Sequence, residues 1–210
     1  MLLKCFQFHI SIFDRFQVHN KMRVVIIGSA GHHVEDKKYL DSQLYTKVVN
    51  QVDQKIQPWK NIHLISGGAA FVDHVAISLF LKHVTEGAKL TLFLPCEFDC
   101  QQNQFAECHP GPIATKEHRD FEKRTGIESL VEITKAIKLG AKVRVVSDLK
   151  IDPKGWHARN MKIAASVSLD DSLFAFTWYA GSEPKPDSGT RRTWDMTKCS
   201  KQYFSLFQFI

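Results

Sequence analysis

Between Val24 and Ile27 the chain reads Val-Val-Ile-Ile, with Arg23 before it and Gly28 after it. An unbroken apolar run closed by glycine suits a strand buried on both faces of a parallel sheet. After a polar stretch, Leu40, Leu44, Val48, Val52 and Ile56 recur at helical spacing, and Pro58 closes the pattern. Asn61 to Ser66 reads as a second strand, and Gly67-Gly68 follows it. Val72, Val75, Ala76, Leu79, Phe80 and Val84 then mark a second amphipathic helix, and Ala88 to Leu94 a third strand. Strand, helix, strand, helix, strand in that order implies parallel strands joined by crossover helices.

Residues 95–125 interrupt this rhythm, with Pro110-Gly-Pro112 in the middle of a polar stretch, and read as a long irregular insertion. Thr125-Gly-Ile-Glu128 has the spacing of a capping box, opening a helix that carries Ile127, Leu130, Val131, Thr134 and Ile137 and ends at Gly140. Val143 to Val146 reads as a fourth strand, 157–168 as a helix and Ser172 to Trp178 as a fifth strand. Gly189-Thr190 opens a last helix reaching about Lys201, and Phe204 to Ile210 reads as a short edge or packing strand. The expected fold is α/β, a Rossmann-like three-layer α/β/α arrangement with a mainly parallel sheet.

The chain has 210 residues, room for one well-buried core and too few for two ordinary domains. Residues 1–21 stand apart as an N-terminal extension, an appended strand or a loose tail: Phe6, Phe8, Ile10 and Ile12 alternate, and Lys4, Gln7, His9, Asp14 and Arg15 break any signal-peptide pattern. Residues 22–210 form the single expected domain. No apolar run is long enough to span a bilayer, so no membrane partner is expected. Five cysteines, an odd number in a chain without a secretory signal, suggest reduced thiols and a cytoplasmic protein. The formal charge of +6 favours anionic partners.

Three loops have the composition of phosphate sites at strand–helix junctions: Gly28-Ser29-Ala-Gly31, Ser66-Gly67-Gly68-Ala-Ala70 and Asp187-Ser-Gly189-Thr190. Glycine lets backbone approach a ligand, and helix N-termini present unpaired N–H groups to anions. In open α/β sheets such loops gather beyond the carboxyl ends of the strands. Asp73 is expected in the first turn of the second helix, either as a helix-dipole partner or as an acceptor for a ribose hydroxyl or a nearby amide.

Ser66-Gly-Gly-Ala-Ala-Phe-Val-Asp73-His-Val-Ala76 resembles the S/H-G-G-A-x-G-x-D-x-x-A signature of the SLOG superfamily, which includes the Lonely Guy enzymes, the DNA-processing protein A fold and YspA-like proteins. Met22 to Ser29 looks like its first strand and loop. Arg159-Asn160, Ser172 to Thr177 and Gly189-Thr190 resemble further YspA-type stretches in the same order. The likeness runs from about Met22 to Lys201, without the insertion. It implies a Rossmann-like fold, often homodimeric, with nucleotide-derived ligands. It also implies that Gly67, Gly68 and Asp73 line the pocket, Arg159 and Asn160 reach phosphate or sugar, and Gly189 and Thr190 cap the phosphate.

Two positions depart from that pattern. Lonely Guy hydrolases carry P-G-G-x-G-T-x-x-E, with a catalytic glutamate at the end. Here the loop is one residue shorter and Thr193 holds the glutamate's place. Asp195 lies roughly 200° further around a helix, a poor substitute. Phe71 replaces a usual glycine, which narrows the loop if the ring points inward.

His118, in a basic knot with Arg119, Lys123 and Arg124, is an acid–base or ligand-contacting candidate if the insertion covers the pocket. Arg191 opposes the dipole of the helix it begins, and an anionic ligand would give it a reason. Cys96, Cys100, Cys108 and His109 do not have zinc-site spacing, and His32-His33 reads as loop polarity, so no metal and no cofactor are expected. Trp156, Trp178, Tyr179 and Trp194 flank the pocket loops and are expected mostly as core or rim residues, with one ring available to stack on a base. The leading expectation is binding, by sensing or sequestering, of a nucleotide-like small molecule. The alternative is an N-glycosidase acting on nucleoside 5'-monophosphates, with Asp73, His118 or Asp195 in a non-standard role. Single-stranded nucleic-acid binding ranks third, because the basic residues are scattered.

Overall fold

A computed structural model describes residues 22–146 and 156–210. The extension at 1–21 lies outside the described residues. Six strands form one sheet, all neighbours parallel: β1 (Arg23–Gly28), β2 (His63–Ser66), β3 (Lys89–Leu94), β6 (Lys142–Val145), β7 (Ser172–Thr177) and β8 (Ser200–Ser205). A two-stranded antiparallel hairpin, β4 (Phe98–Asp99) with β5 (Gln104–Phe105), stands apart. The helices are α1 (Val34–Tyr39), α2 (Ser42–Ile56), α3 (Val75–His83), α4 (Gly111–Thr125), α5 (Ser129–Lys138), α6 (Trp156–Ala165) and α7 (Gly189–Met196). The expected Rossmann-like α/β/α class is the observed one.

The strand order is β6-β3-β2-β1-β7-β8. The chain winds outward from β1 to β6, returns across the sheet, and continues outward on the other side through β7 and β8. Parallel crossovers keep one hand, so reversing the direction of winding moves the connecting helices to the opposite face. Val24 and Ile26 accordingly pack with α2 to α5, whereas Val25 and Ile27 pack with Ile163 of α6 and Trp194 of α7. All four are buried, as the unbroken apolar run demands.

Several elements differ from the sequence expectation. Residues 95–125 are not irregular: they hold the β4–β5 hairpin and the 15-residue helix α4. The helix buries Ala114, Thr115, His118, Phe121 and Thr125, a true helical stripe written largely in small and polar residues. The capping box does not form. Thr125 is the last residue of α4, its Oγ1 accepts from the Ile127 amide, and Glu128 leads into α5 without a side-chain cap. The polar stretch before Leu40 contains α1, which buries Asp36. The second helix starts at Val75, so Asp73 precedes it in a turn. The last helix stops at Met196, since the strand β8 begins at Ser200 beside β7, and a short 3-10 turn, Leu206–Phe209, completes the chain.

Phe71 adopts a left-handed backbone, with φ of 62°, the conformation a glycine at this position would take most easily. Its ring turns away from the loop into the core, wholly buried and stacked on Phe121 at 6.5 Å. A left-handed residue costs about 1–2 kcal/mol, and burying a phenyl group returns about 1.5–3 kcal/mol. Burial of the ring therefore offsets the left-handed backbone, and the loop is left unobstructed.

Candidate functional site

A cavity of about 490 Å³ opens at the carboxyl edge of the sheet, where β1 and β7 diverge. That junction is the reversal point of strand order, and adjacent loops leave it toward opposite faces. The volume lies in the range of small-molecule sites. Its walls come from the loops after β1, β2 and β7, from the starts of α6 and α7, and from α4.

The β2 loop is the rigid wall. Every residue from Ser66 to Asp73 is buried. The Ser66 hydroxyl donates to the Asp73 carbonyl at 2.7 Å and accepts from the Gly68 amide at 3.1 Å. Gly67 lies between the Asp73 carboxylate and the Arg159 guanidinium: a Cβ there would come within 2.6 Å of one and 2.8 Å of the other. Arg159 donates from Nη1 to the Gly67 carbonyl at 3.2 Å and rests over the Trp156 ring. Burial pushes the Asp73 carboxyl up to about 6, against the opposing pull of Arg159 and the amides of Ala69, Gly28 and Gly67. Asp73 thus joins the first two loops while lining the cavity.

The β1 loop is held by Asp36, a carboxylate wholly buried on α1. It accepts from the Ser29 hydroxyl at 2.6 Å, the His33 amide at 2.8 Å and Trp178 Nε1 at 2.7 Å. Gly28 admits no side chain, because a Cβ would overlap the Phe176 carbonyl oxygen and Val72.

The third wall is open. Tyr179 to Asp187 is exposed except for Pro184. Ser188 caps α7 by accepting from the Arg191 amide at 3.0 Å, and Gly189, Thr190 and Thr193 line the cavity beside Lys185. Asn160 donates to the Gly189 carbonyl at 3.4 Å, joining α6 to α7.

Of the residues singled out in the sequence, Gly28, Ser29, Asp73, Arg159, Asn160, Gly189 and Thr190 line the cavity. Ser66, Gly67 and Gly68 brace it from behind, and Gly31, with φ of 86°, turns the β1 loop without lining it. His118 points into the core. Its Nε2–H donates to the Gly68 carbonyl at 3.0 Å, which fixes the tautomer, and Nδ1 accepts from the Ser129 hydroxyl at 2.9 Å. Burial, together with nearby His74, drives its pKa down to about 3, so it remains neutral and braces Gly68. Arg191 finds its reason within the protein, pairing with Asp195 at 2.9 Å and Glu183 at 2.7 Å. That pair also keeps Asp195 on the surface, away from the cavity.

Sequence reasoning missed Glu117. It lines the cavity from α4, one residue before His118, and faces His32 Nδ1 at 3.4 Å. Burial raises its pKa, with His32 and Arg159 opposing. Ile113, Asp36 and Lys185 were missed too. Only recognition of α4 as a helix would have revealed Glu117 and Ile113, since adjacent helical residues point about 100° apart. Among the described residues, no group of three His, Cys, Asp or Glu side chains is placed to hold a metal ion, and no helix is long and apolar enough to cross a membrane.

No family model matches the chain. An uncharacterized protein of Acanthamoeba polyphaga mimivirus is 31% identical over 184 residues, covering 85% of this chain and 92% of that protein. The chain belongs to the family of that mimivirus protein. Among solved structures, the type II thioesterase BorB from the borrelidin biosynthetic cluster aligns with 90% of this family member and 84% of its own chain, at 10% identity and a TM-score of 0.25, too slight a likeness to bear on fold or function.

Proposed function

We propose that the chain binds a nucleotide or nucleotide-derived phosphate ligand in the carboxyl-edge cavity. The observation that carries this reading is convergence: the loops after β1, β2 and β7 contribute to one cavity at the reversal point of the sheet. The capped N-terminus of α7 and Lys185 offer an anion subsite, because unpaired helix N–H groups and an ammonium both favour phosphate. Arg159 is committed to Gly67 and shares the neighbourhood of Asp73 and Glu117, so Lys185 is the better phosphate partner. The likeness of Ser66 to Ala76 to the SLOG signature supports the same reading.

The test is a thermal-shift and calorimetric panel of nucleoside mono-, di- and triphosphates and ADP-ribose. A ligand at about 100 times its Kd should add roughly 2.7 kcal/mol of stability. A panel without any shift at saturating ligand removes the proposal.

A second reading, hydrolysis of an N-glycosidic bond, is favoured by one observation: a desolvated carboxylate, Glu117, lines the cavity although Thr193 holds the expected glutamate position. Burial that raises a carboxyl pKa suits proton transfer. Base release from nucleoside monophosphates, lost in Glu117→Gln and retained in Asp195→Asn, is the expected signature. No release from any common monophosphate eliminates hydrolysis and leaves binding.

A further inference from the structure

Trp178 follows β7 and lines the cavity. Its ring is fixed by three neighbours: Tyr39 at 5.6 Å between centroids, Phe207 edge-on at 5.2 Å, and Asp36, which takes the Nε1–H at 2.7 Å. An indole has one polar group. Here that group is spent inside the protein, so Trp178 meets the cavity as aromatic surface alone. The same Asp36 carboxylate holds Ser29 and His33, both of which line the cavity from the β1 loop. One buried carboxylate therefore ties the loops on either side of the sheet's reversal point and sets the ring between them.

We propose that Trp178 is a stacking subsite for a planar heteroaromatic group of the ligand, and that Asp36 is the positioning residue that orients it. This rests on the reading of the cavity as a nucleotide site and deepens it. A nucleobase joins through its π face, without a hydrogen bond to the indole. Stacking on an aromatic side chain is tolerant of base identity and contributes roughly ten- to a hundredfold in affinity. The subsite therefore favours base-bearing ligands over bare sugar phosphates, with weak discrimination by Trp178 among bases.

The experiment compares calorimetric affinities for AMP, GMP, CMP and UMP with that for ribose 5-phosphate, in the full chain and three variants. In the unsubstituted protein the tightest monophosphate should exceed ribose 5-phosphate by about tenfold or more. Trp178→Leu should collapse that ratio toward one, with ribose 5-phosphate affinity within about threefold of the parent. Trp178→Phe keeps a ring but removes the bond to Asp36, and should give an intermediate ratio. Asp36→Asn puts an NH2 donor in place of one of the two oxygens on which three donors converge, and should lower the ratio too. If Asp36→Asn does not fold, Trp178→Phe breaks the same bond from the other side. A ratio near one in the unsubstituted protein, or an unchanged ratio in Trp178→Leu, overturns the stacking subsite while leaving the phosphate reading intact. An equal loss for all ligands in Asp36→Asn, with an unchanged ratio in Trp178→Phe, reduces Asp36 to a purely structural role and overturns its positioning. Binding of none of these ligands by the unsubstituted protein removes the nucleotide reading and the subsite together.

Discussion

Two of the cavity's three walls, the β2 and β7 loops, are built on opposite principles. The β2 loop is core: Ser66 to Asp73 is buried throughout, and its backbone is tied by Ser66, Arg159 and, from behind, His118. The β7 loop is surface: Tyr179 to Asp187 lies in solvent apart from Pro184, and its cavity-lining Lys185 is exposed. A wall made from core is preorganised but tolerates little change. A wall made from surface accepts substitution and lets the ligand decide its final geometry. Changes on the first wall should therefore register as lost stability, and changes on the second as lost affinity.

The largest expected effect is at Gly28, where the β1 end meets the rigid wall. Gly28→Ala forces a methyl group into the Phe176 carbonyl and Val72, and should cost about 3 kcal/mol or more, or prevent folding. Urea denaturation measures it, and a loss below about 1 kcal/mol would break the contrast between the walls.

Acid titration comes next. The native pKa of His118 lies near 3, below its ordinary 6.5. Its contribution is fully present above about pH 6.5 and is lost as pH falls toward 3, because the unfolded chain takes up the proton first. Asp73 acts with the opposite sign: raised from 3.8 to about 6, it favours the fold below pH 4 and loses that contribution as pH rises through 6. His118 has the larger shift, so the pair should lower stability on acidification from pH 7 to pH 4 by on the order of 1 kcal/mol. His118→Gln, which can still donate to Gly68 and does not titrate, leaves the opposite contribution of Asp73 and should turn that limb upward on acidification in denaturation curves at pH 7, 5 and 4. An unchanged slope would show that the histidine is not the residue behind it.

The smallest effect on stability belongs to Lys185. Lys185→Ala should change unfolding free energy by less than about 0.5 kcal/mol, and should weaken the tightest nucleoside monophosphate about tenfold, as loss of one ion-paired phosphate contact implies. Calorimetry beside a melting curve separates the two. Lost stability with unchanged affinity would reverse the assignment of the walls.

Much of this was legible in the chain because the strands are buried on both faces and so spell themselves in unbroken apolar runs. Val24 to Ile27 and Leu173 to Phe176 are examples. The glycine loops were equally legible, since Gly28 and Gly67 sit where backbone and side chains leave no room for a Cβ. Helix α4 was not, because its inward stripe is Ala114, Thr115, His118 and Phe121. Only Phe121 is strongly apolar among them: His118 is buried through hydrogen bonds with Ser129 and Gly68, and Thr115 through one from the Phe105 amide.

The sequence alone determined the class of fold, the parallel order of its units and the three loops at strand ends, because periodicity and glycine placement are local properties. Only the tertiary structure decided which polar residues face the cavity. It turned His118 inward and Glu117 outward on the same helix. It paired Arg191 with Asp195 and Glu183, and it brought Asp36 to Trp178, 142 positions away along the chain. A charged side chain has no inherent preference among such partners. Its role follows from which donors and acceptors the fold sets within hydrogen-bond reach.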